Sequence, residues 1–174
     1  MPCSVSLKSY QIDNCFSSKG GIKAVWVGVY KEGVFTFDAS GNTVTGFSGI
    51  TPSSDLYKQE LRRGTGSMTS TYNYDEANGS SFVQTDAVFQ YGKMDIENRI
   101  QMNALSKGDL IAVVEDCNGE YYALGIEEPV KATSGTGQTG TARTDGNYYE
   151  ITLSDYCSQY PAHLDPSAIE LLPN

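Results

Sequence analysis

No run of 18 consecutive apolar residues occurs in the chain, so no segment reads as a membrane-spanning helix. The first residues, Met1-Pro2-Cys3-Ser4-Val5, have neither a basic n-region nor an apolar h-region, which predicts no signal peptide. Cysteine is scarce. The four residues stand at 3, 15, 117 and 157, with gaps that fit no zinc site. Without a secretion signal, the expectation is free thiols in a reducing compartment rather than two disulfides. For the same reason Asn78-Gly79-Ser80 reads as a turn, not a glycosylation acceptor. Histidine occurs once, at His163 in Tyr160-Pro161-Ala162-His163. A Ser-His-Asp or Cys-His arrangement would need it as base, and an exposed or interface role suits that loop better. HExxH, GxSxG and EF-hand patterns are absent. Basic residues are outnumbered, 12 Lys and Arg to 21 Asp and Glu, for a net charge of −9. A free acidic chain is a poor sequence-independent binder of nucleic acid or of an anionic membrane.

At 174 residues the length predicts one domain with a sizeable core. Leu, Ile, Val and Phe make only 36 of the residues, close to the composition of disordered chains. The 12 Tyr, 11 Val and one Trp are a sheet former's choice, however, and 18 Gly with 32 Ser and Thr supply turns. An all-helical bundle is therefore excluded, and the chain is expected to be mainly β.

Residues 1–21 are polar and read as an arm. Ile22 to Tyr30 is the first firm strand, with Val25, Val27 and Val29 on one face and Ala24, Trp26 and Tyr30 on the other. Turns at Lys31-Glu32-Gly33 and Ser40-Gly41-Asn42 extend it into a meander with Val34–Asp38 and Thr43–Phe47. Residues 67–91 alternate as a long hairpin. Met68, Ser70, Tyr72 and Tyr74 share one face of its first arm, and Asp75-Glu76-Ala77-Asn78-Gly79 forms an acidic tip. A two-stranded ribbon this long is marginal alone and wants a further surface. A helix is expected over Ile96–Lys107, capped by Asp95 and stopped by Gly108, with Ile96, Ile100, Ala104 and Leu105 facing the core. Asn118-Gly119 between Leu110–Cys117 and Glu120–Gly125 is a strong hairpin signal. Residues 131–140 read as a loop, and Thr141–Thr144 with Tyr148–Leu153 as a last hairpin. The tail, 154–174, has a short helix signal in Asp165-Pro166. No linker divides the chain, so 1–174 is expected to be a single β-rich domain.

Chemistry is sparse. Gly135-Thr136-Gly137-Gln138-Thr139-Gly140 matches GxGxxG, but neither a feeding strand nor a following helix flanks it, so it reads as a flexible loop. Residues 109–128 hold Asp109, Glu115, Asp116, Glu120, Glu127 and Glu128 with no Lys or Arg, a local charge of −6. Such a cluster can be a solvated face, a wall that must not hold DNA, or a metal or catalytic site. Arg62-Arg63 is the one compact basic pair, too small for a nucleic-acid site and better suited to an acidic loop of a partner.

The order of these elements resembles tail tube-like virion proteins of tailed phages, those of crAss-like and related phages in particular. The likeness runs through Gly20-Gly21-Ile22-Lys23-Ala24-Val25-Trp26-Val27, the polar hairpin, the Met94–Leu105 helix, the run Leu110 to Gly125 and the closing Gly140–Leu153 segment. It implies an antiparallel β-sandwich or barrel of two packed sheets, with one flanking helix and a long extended hairpin. It implies a homo-oligomeric ring, six-fold or in some particles twelve-fold, stacked on other tail rings in the virion. Such a tube passes DNA without binding it specifically, and uses no catalytic residue, cofactor, metal or membrane. On that reading Met68, Ser70, Tyr72, Tyr74, Phe82, Gln84, Arg62 and Arg63 are expected at subunit contacts. Glu115, Asp116, Glu120, Glu127 and Glu128 are expected to face the lumen, where carboxylates let phosphates slide past. Two other classes remain: a carbohydrate-binding or adhesion module, which a Tyr-lined groove would favour, and a small hydrolase, which a converging buried carboxylate pair would favour.

Overall fold

A computed structural model describes residues 7–10 and 18–174. Most of the expected N-terminal arm, with Cys3 and Cys15, lies outside the described residues. The fold is mainly β, two sheets packed as a sandwich with three short helices. The strands are β1 (Ile22–Val29), β2 (Phe35–Phe37), β3 (Thr43–Phe47), β4 (Leu56–Glu60), β5 (Gly66–Asp75), β6 (Ser80–Tyr91), β7 (Leu110–Asp116), β8 (Tyr121–Leu124), β9 (Lys131–Gln138), β10 (Tyr148–Cys157) and β11 (Ala162–Leu164). The helices are α1 (Pro52–Asp55), α2 (Ile96–Lys107) and α3 (Pro166–Ile169). One sheet runs β2-β3-β11-β8-β7-β1-β4 and the other β5-β6-β10-β9. All pairings are antiparallel except β11 with β3. Among the described residues no helix is long and apolar enough to cross a membrane.

The seven-stranded sheet is buried on both faces, so its central strands are apolar at successive positions rather than at alternate ones. Val25, Val27, Ala112, Val114 and Leu124 point into the inter-sheet core, against Ala87, Phe89, Ile151 and Leu153. Ala24, Trp26, Ile111, Val113 and Ala123 point the other way, under Val44, Leu164, Ala168 and Leu172. The tail is thus woven into the fold. Trp26 Nε1 donates to the Pro173 carbonyl at 2.8 Å, and Asp165 stands at the N-cap of α3 with Pro166 in its first turn.

Several expectations change. The first three strands are not a meander: β2 pairs with β3, while β1 lies between β7 and β4. Val29 does not continue the Val25–Val27 face into the core but is 75% exposed at the end of β1. β4 was not foreseen. Residues 131–138 are a strand, not a loop, and Thr141–Thr144 is not one. The Gly/Ser/Thr run deceived because small residues read as turns. On β9 they fit close neighbours: a Cβ on Gly137 would stand 2.8 Å from Tyr149 Cε1 and 3.1 Å from Met94 Cε. α2 turns a different face to the core. Met102 and Leu105 are buried, whereas Ile96 and Ile100 are 73% and 56% exposed. Its start is fixed by Asp95, which accepts from Asn98 N at 2.8 Å, and by Met94 N donating to Asn147 Oδ1 at 2.9 Å. Those anchors set the helix rotation so that Met102 closes over Gly135.

Candidate functional site

The four-stranded sheet carries the most distinctive surface. Register places Met68, Ser70, Tyr72 and Tyr74 of β5 opposite Ala87, Thr85, Val83 and Ser81 of β6. On β10, Ile151, Leu153 and Asp155 stand opposite Phe89, Ala87 and Thr85. These positions form the core-facing side. The other side is open and mostly polar: Ser67, Thr69, Thr71 and Asn73 on β5, Gln84, Asp86 and Gln90 on β6, Glu150, Thr152 and Ser154 on β10, Ser134 and Thr136 on β9, with Phe82, Val88 and Tyr156 among them. A hydrogen-bonded row crosses three strands. Thr133 and Ser154 hydroxyls lie 2.8 Å apart, Ser154 Oγ donates to Asp86 Oδ1, and Gln84 Nε2 reaches both Asp86 oxygens at 3.1–3.2 Å. Gln90 Nε2 donates to Glu150 Oε2 at 2.8 Å. Both carboxylates are thereby held by neutral donors, and among the described residues neither has an ion-pair partner.

The anticipated contact residues divide between the two sides. Met68, Ser70, Tyr72 and Tyr74 do share the core-facing side of β5, and Tyr72 and Tyr74 are 52% and 64% exposed there. Ser70 is committed inward, its hydroxyl 2.8 Å from that of buried Thr85. Phe82 and Gln84 belong to the opposite side, with the Phe82 ring 5.9 Å from that of Tyr156. Arg62 lies against Gly92, where a Cβ would meet its Nε at 3.3 Å, and Arg63 is exposed.

The five carboxylates expected along a lumen do not form one wall. Glu115 is buried, with Lys23 Nζ at 2.6 Å; that hydrogen bond and charge raise the Lys23 pKa. The expectation that no basic residue neutralises it fails, because Lys23 arrives from β1, remote in sequence. Asp116 caps the β7–β8 turn. Partial burial raises its pKa, but hydrogen bonds from Glu120 N and from the Asn118 side chain and backbone outweigh this and hold it low. Glu120 faces His163 Nδ1 at 3.3 Å, and both are exposed. Glu127 accepts from the Ser158 hydroxyl and amide, which lower its pKa. Glu128 is exposed. All five lie on or beside the seven-stranded sheet, not on the open side of the four-stranded one.

A groove of about 600 Å³ opens between the two sheets, lined by Phe37, Tyr72, Glu127, Cys157, Tyr160 and His163 among others. Nearby, Asp155 had no sequence signal as a buried acid, since Ser154-Asp155-Tyr156 reads as a strand end. It is 2% exposed and accepts from Gly125 N at 3.2 Å. Burial, with help from the Glu127 and Glu128 charges, raises its pKa to about 6. The folded state therefore binds this proton more tightly than the unfolded chain does. Its neutral form is fully stabilising below the unfolded pKa near 3.8, and that stability is lost as pH rises through about 6. Asp155→Asn should raise stability at pH 7.5 by about 2–3 kcal/mol and by little at pH 3.5. Urea unfolding of both proteins at the two pH values checks this, and an equal difference at both would refute it.

Cys117 and Cys157 are free thiols, and burial raises the pKa of Cys157. The described residues contain no group of three or more His, Cys, Asp or Glu placed to hold a metal ion. No protein-family model matches the chain, and no curated protein matches its sequence.

Proposed function

We propose that the chain is a ring-forming structural subunit of a phage tail tube or tail barrel, through which DNA passes during ejection. The observation that carries this reading is the four-stranded sheet. Among the described residues its outer strands β5 and β9 each pair on one side only, and its open face is mostly polar. Unpaired strand edges are a template for another chain. With four antiparallel strands, β5 and β9 run in opposite directions, so β5 of one copy can pair antiparallel with β9 of the next. Repetition closes the sheets into one barrel, whose open faces line the channel. Asp86 and Glu150 would then be the lumen carboxylates, in place of the five expected from sequence.

Hydrogen exchange tests the pairing. β6 is held on both sides, by β5 and by β10 over Val83–Tyr91, so the hairpin is not a loose ribbon. Its amides should be protected in monomer and ring alike. Amides of Ser67–Asn73 directed away from β6 should gain protection only in the ring. Equal exchange of those amides in both states would refute edge pairing.

A second reading, a carbohydrate-binding or adhesion module, draws support from the groove with Tyr72, Tyr160 and Phe37 on its walls. Glycan-array binding abolished by Tyr160→Ala would favour it over the ring.

A further inference from the structure

A ring closed by rotation needs two different surfaces on each subunit, one fitting the other. The hairpin supplies the first. A second surface lies across the molecule. β1 crosses beneath the four-stranded sheet: Ile22 at its start packs under Gly66 of β5, where a Cβ would stand 2.5 Å from Ile22 Cγ1. Its other end is tied to the α2–β7 junction, with Tyr30 N donating to Asp109 O at 2.9 Å. At that end a groove of about 490 Å³ opens between α2 and the ends of β1 and β4, lined by Val29, Tyr57, Gln101, Ala104 and Leu105 among others. Val29 and Tyr57 are 75% and 63% exposed, and Ile100 on α2 is exposed as well.

We propose that this groove receives Tyr72 and Tyr74 from the hairpin of the adjacent copy; the inference rests on the ring reading above. Three observations converge on that occupant. α2 packs on the core-facing side of β9, with Met102 over Gly135, and Met94, just ahead of the helix, lies over Gly137. Tyr72 and Tyr74 lie on the core-facing side of β5. When β5 pairs with the next copy's β9, tyrosines and helix fall on the same side of the joined sheet. Charge agrees. Residues 64–92 hold Asp75, Glu76 and Asp86 and no Lys or Arg. The receiving side, residues 93–109 and 131–147, holds Lys93, Arg99, Lys107, Lys131 and Arg143 against Asp95, Glu97, Asp109 and Asp145, with Lys131 paired to Asp109 at 3.3 Å. In a chain of net charge −9 that side keeps a small positive excess, opposite a hairpin that carries only negative charge.

The test uses the full chain and two variants, Val29→Asp for the groove and Tyr72→Ser with Tyr74→Ser for the hairpin, followed by sedimentation velocity. Val29 and both tyrosines are largely solvent-accessible, so circular dichroism should match the wild type. Tyr57→Asp is the second groove probe if Val29→Asp does not fold. Each variant should lose ring mass at least about tenfold at a concentration where the wild type assembles. Mixed together, they should give one-to-one dimers and nothing larger, because only one working interface exists between them. Full ring formation by the groove variants would overturn the groove while leaving the ring reading intact. A wild type that stays monomeric at every concentration would overturn the ring reading and the groove with it.

Discussion

Met102→Asp should leave no folded subunit, whereas Ile100→Asp should fold as the wild type does. Met102 is 8% exposed and sits in the inter-sheet core beside Leu105, Ile151 and Tyr149. Removing its side chain from a core costs about 2–5 kcal/mol, and a carboxylate placed there without a partner adds several more. Against a total stability of about 5–15 kcal/mol, that loss is decisive. Ile100, 56% exposed on the neighbouring helix face, meets none of this. Thermal unfolding separates the two, and a folded Met102→Asp with an unfolded Ile100→Asp would mean that α2 is rotated from the described position. Ile100 stands one helical turn before Ala104, which lines the groove, so its variant is expected to fold but to assemble poorly.

Reversing the carboxylates of the open face should turn a passive channel into a trap. Asp86→Lys with Glu150→Lys shifts each subunit by about +4 and a six-fold ring by about +24, close to the charge of a comparable length of DNA at one phosphate per ~1.7 Å. Rings of the variant are expected to retain duplex DNA at 50 mM salt and release it steeply as salt rises, because binding by counterion release falls with a high power of salt concentration. Glu127→Lys with Glu128→Lys, the same charge change beside the other sheet, should produce much weaker retention. Fluorescence anisotropy with labelled DNA reads both. Equal binding by the two variants would show that the four-stranded sheet does not line the channel.

Much of the fold was legible because its signals are local. Asp95 before Ile96, Asn118-Gly119 between apolar runs and the strict alternation of Ser67–Tyr74 each depend on neighbours in sequence, and each lies where expected. What was missed depends on partners far along the chain. β1 carries apolar residues on both faces only because β6 and β10 cover one and the tail covers the other. Alternation within β1 puts Val25, Val27 and Val29 on one face but cannot say how far along it burial extends, and the core ends at Val27. α2 carries two stripes at i, i+4 spacing, Ile96–Ile100–Ala104 and Asn98–Met102 with Leu105. Composition favours the first, and anchoring by Asn147 selects the second. β9 is nearly featureless as sequence because an edge strand pressed by Tyr149 and Met94 selects small residues. The five carboxylates fail to form one wall for the same reason that β1 is buried on both faces. Carboxylates adjacent in sequence were read as adjacent in space, while Lys23 from another strand pairs with Glu115 and the turn at Asn118 consumes Asp116. Asp86 and Glu150, 64 residues apart, share a face only through the β6–β10 register.

Electron microscopy of the purified full chain at tens of micromolar tests the central claim most directly. Class averages should show closed rings with an open channel. A reconstruction should show β5 of each subunit paired with β9 of the next, and Asp86 and Glu150 pointing into the channel. Monodisperse monomers at that concentration, or rings whose channel is lined by the seven-stranded sheet with Glu120 and Glu128, would contradict it.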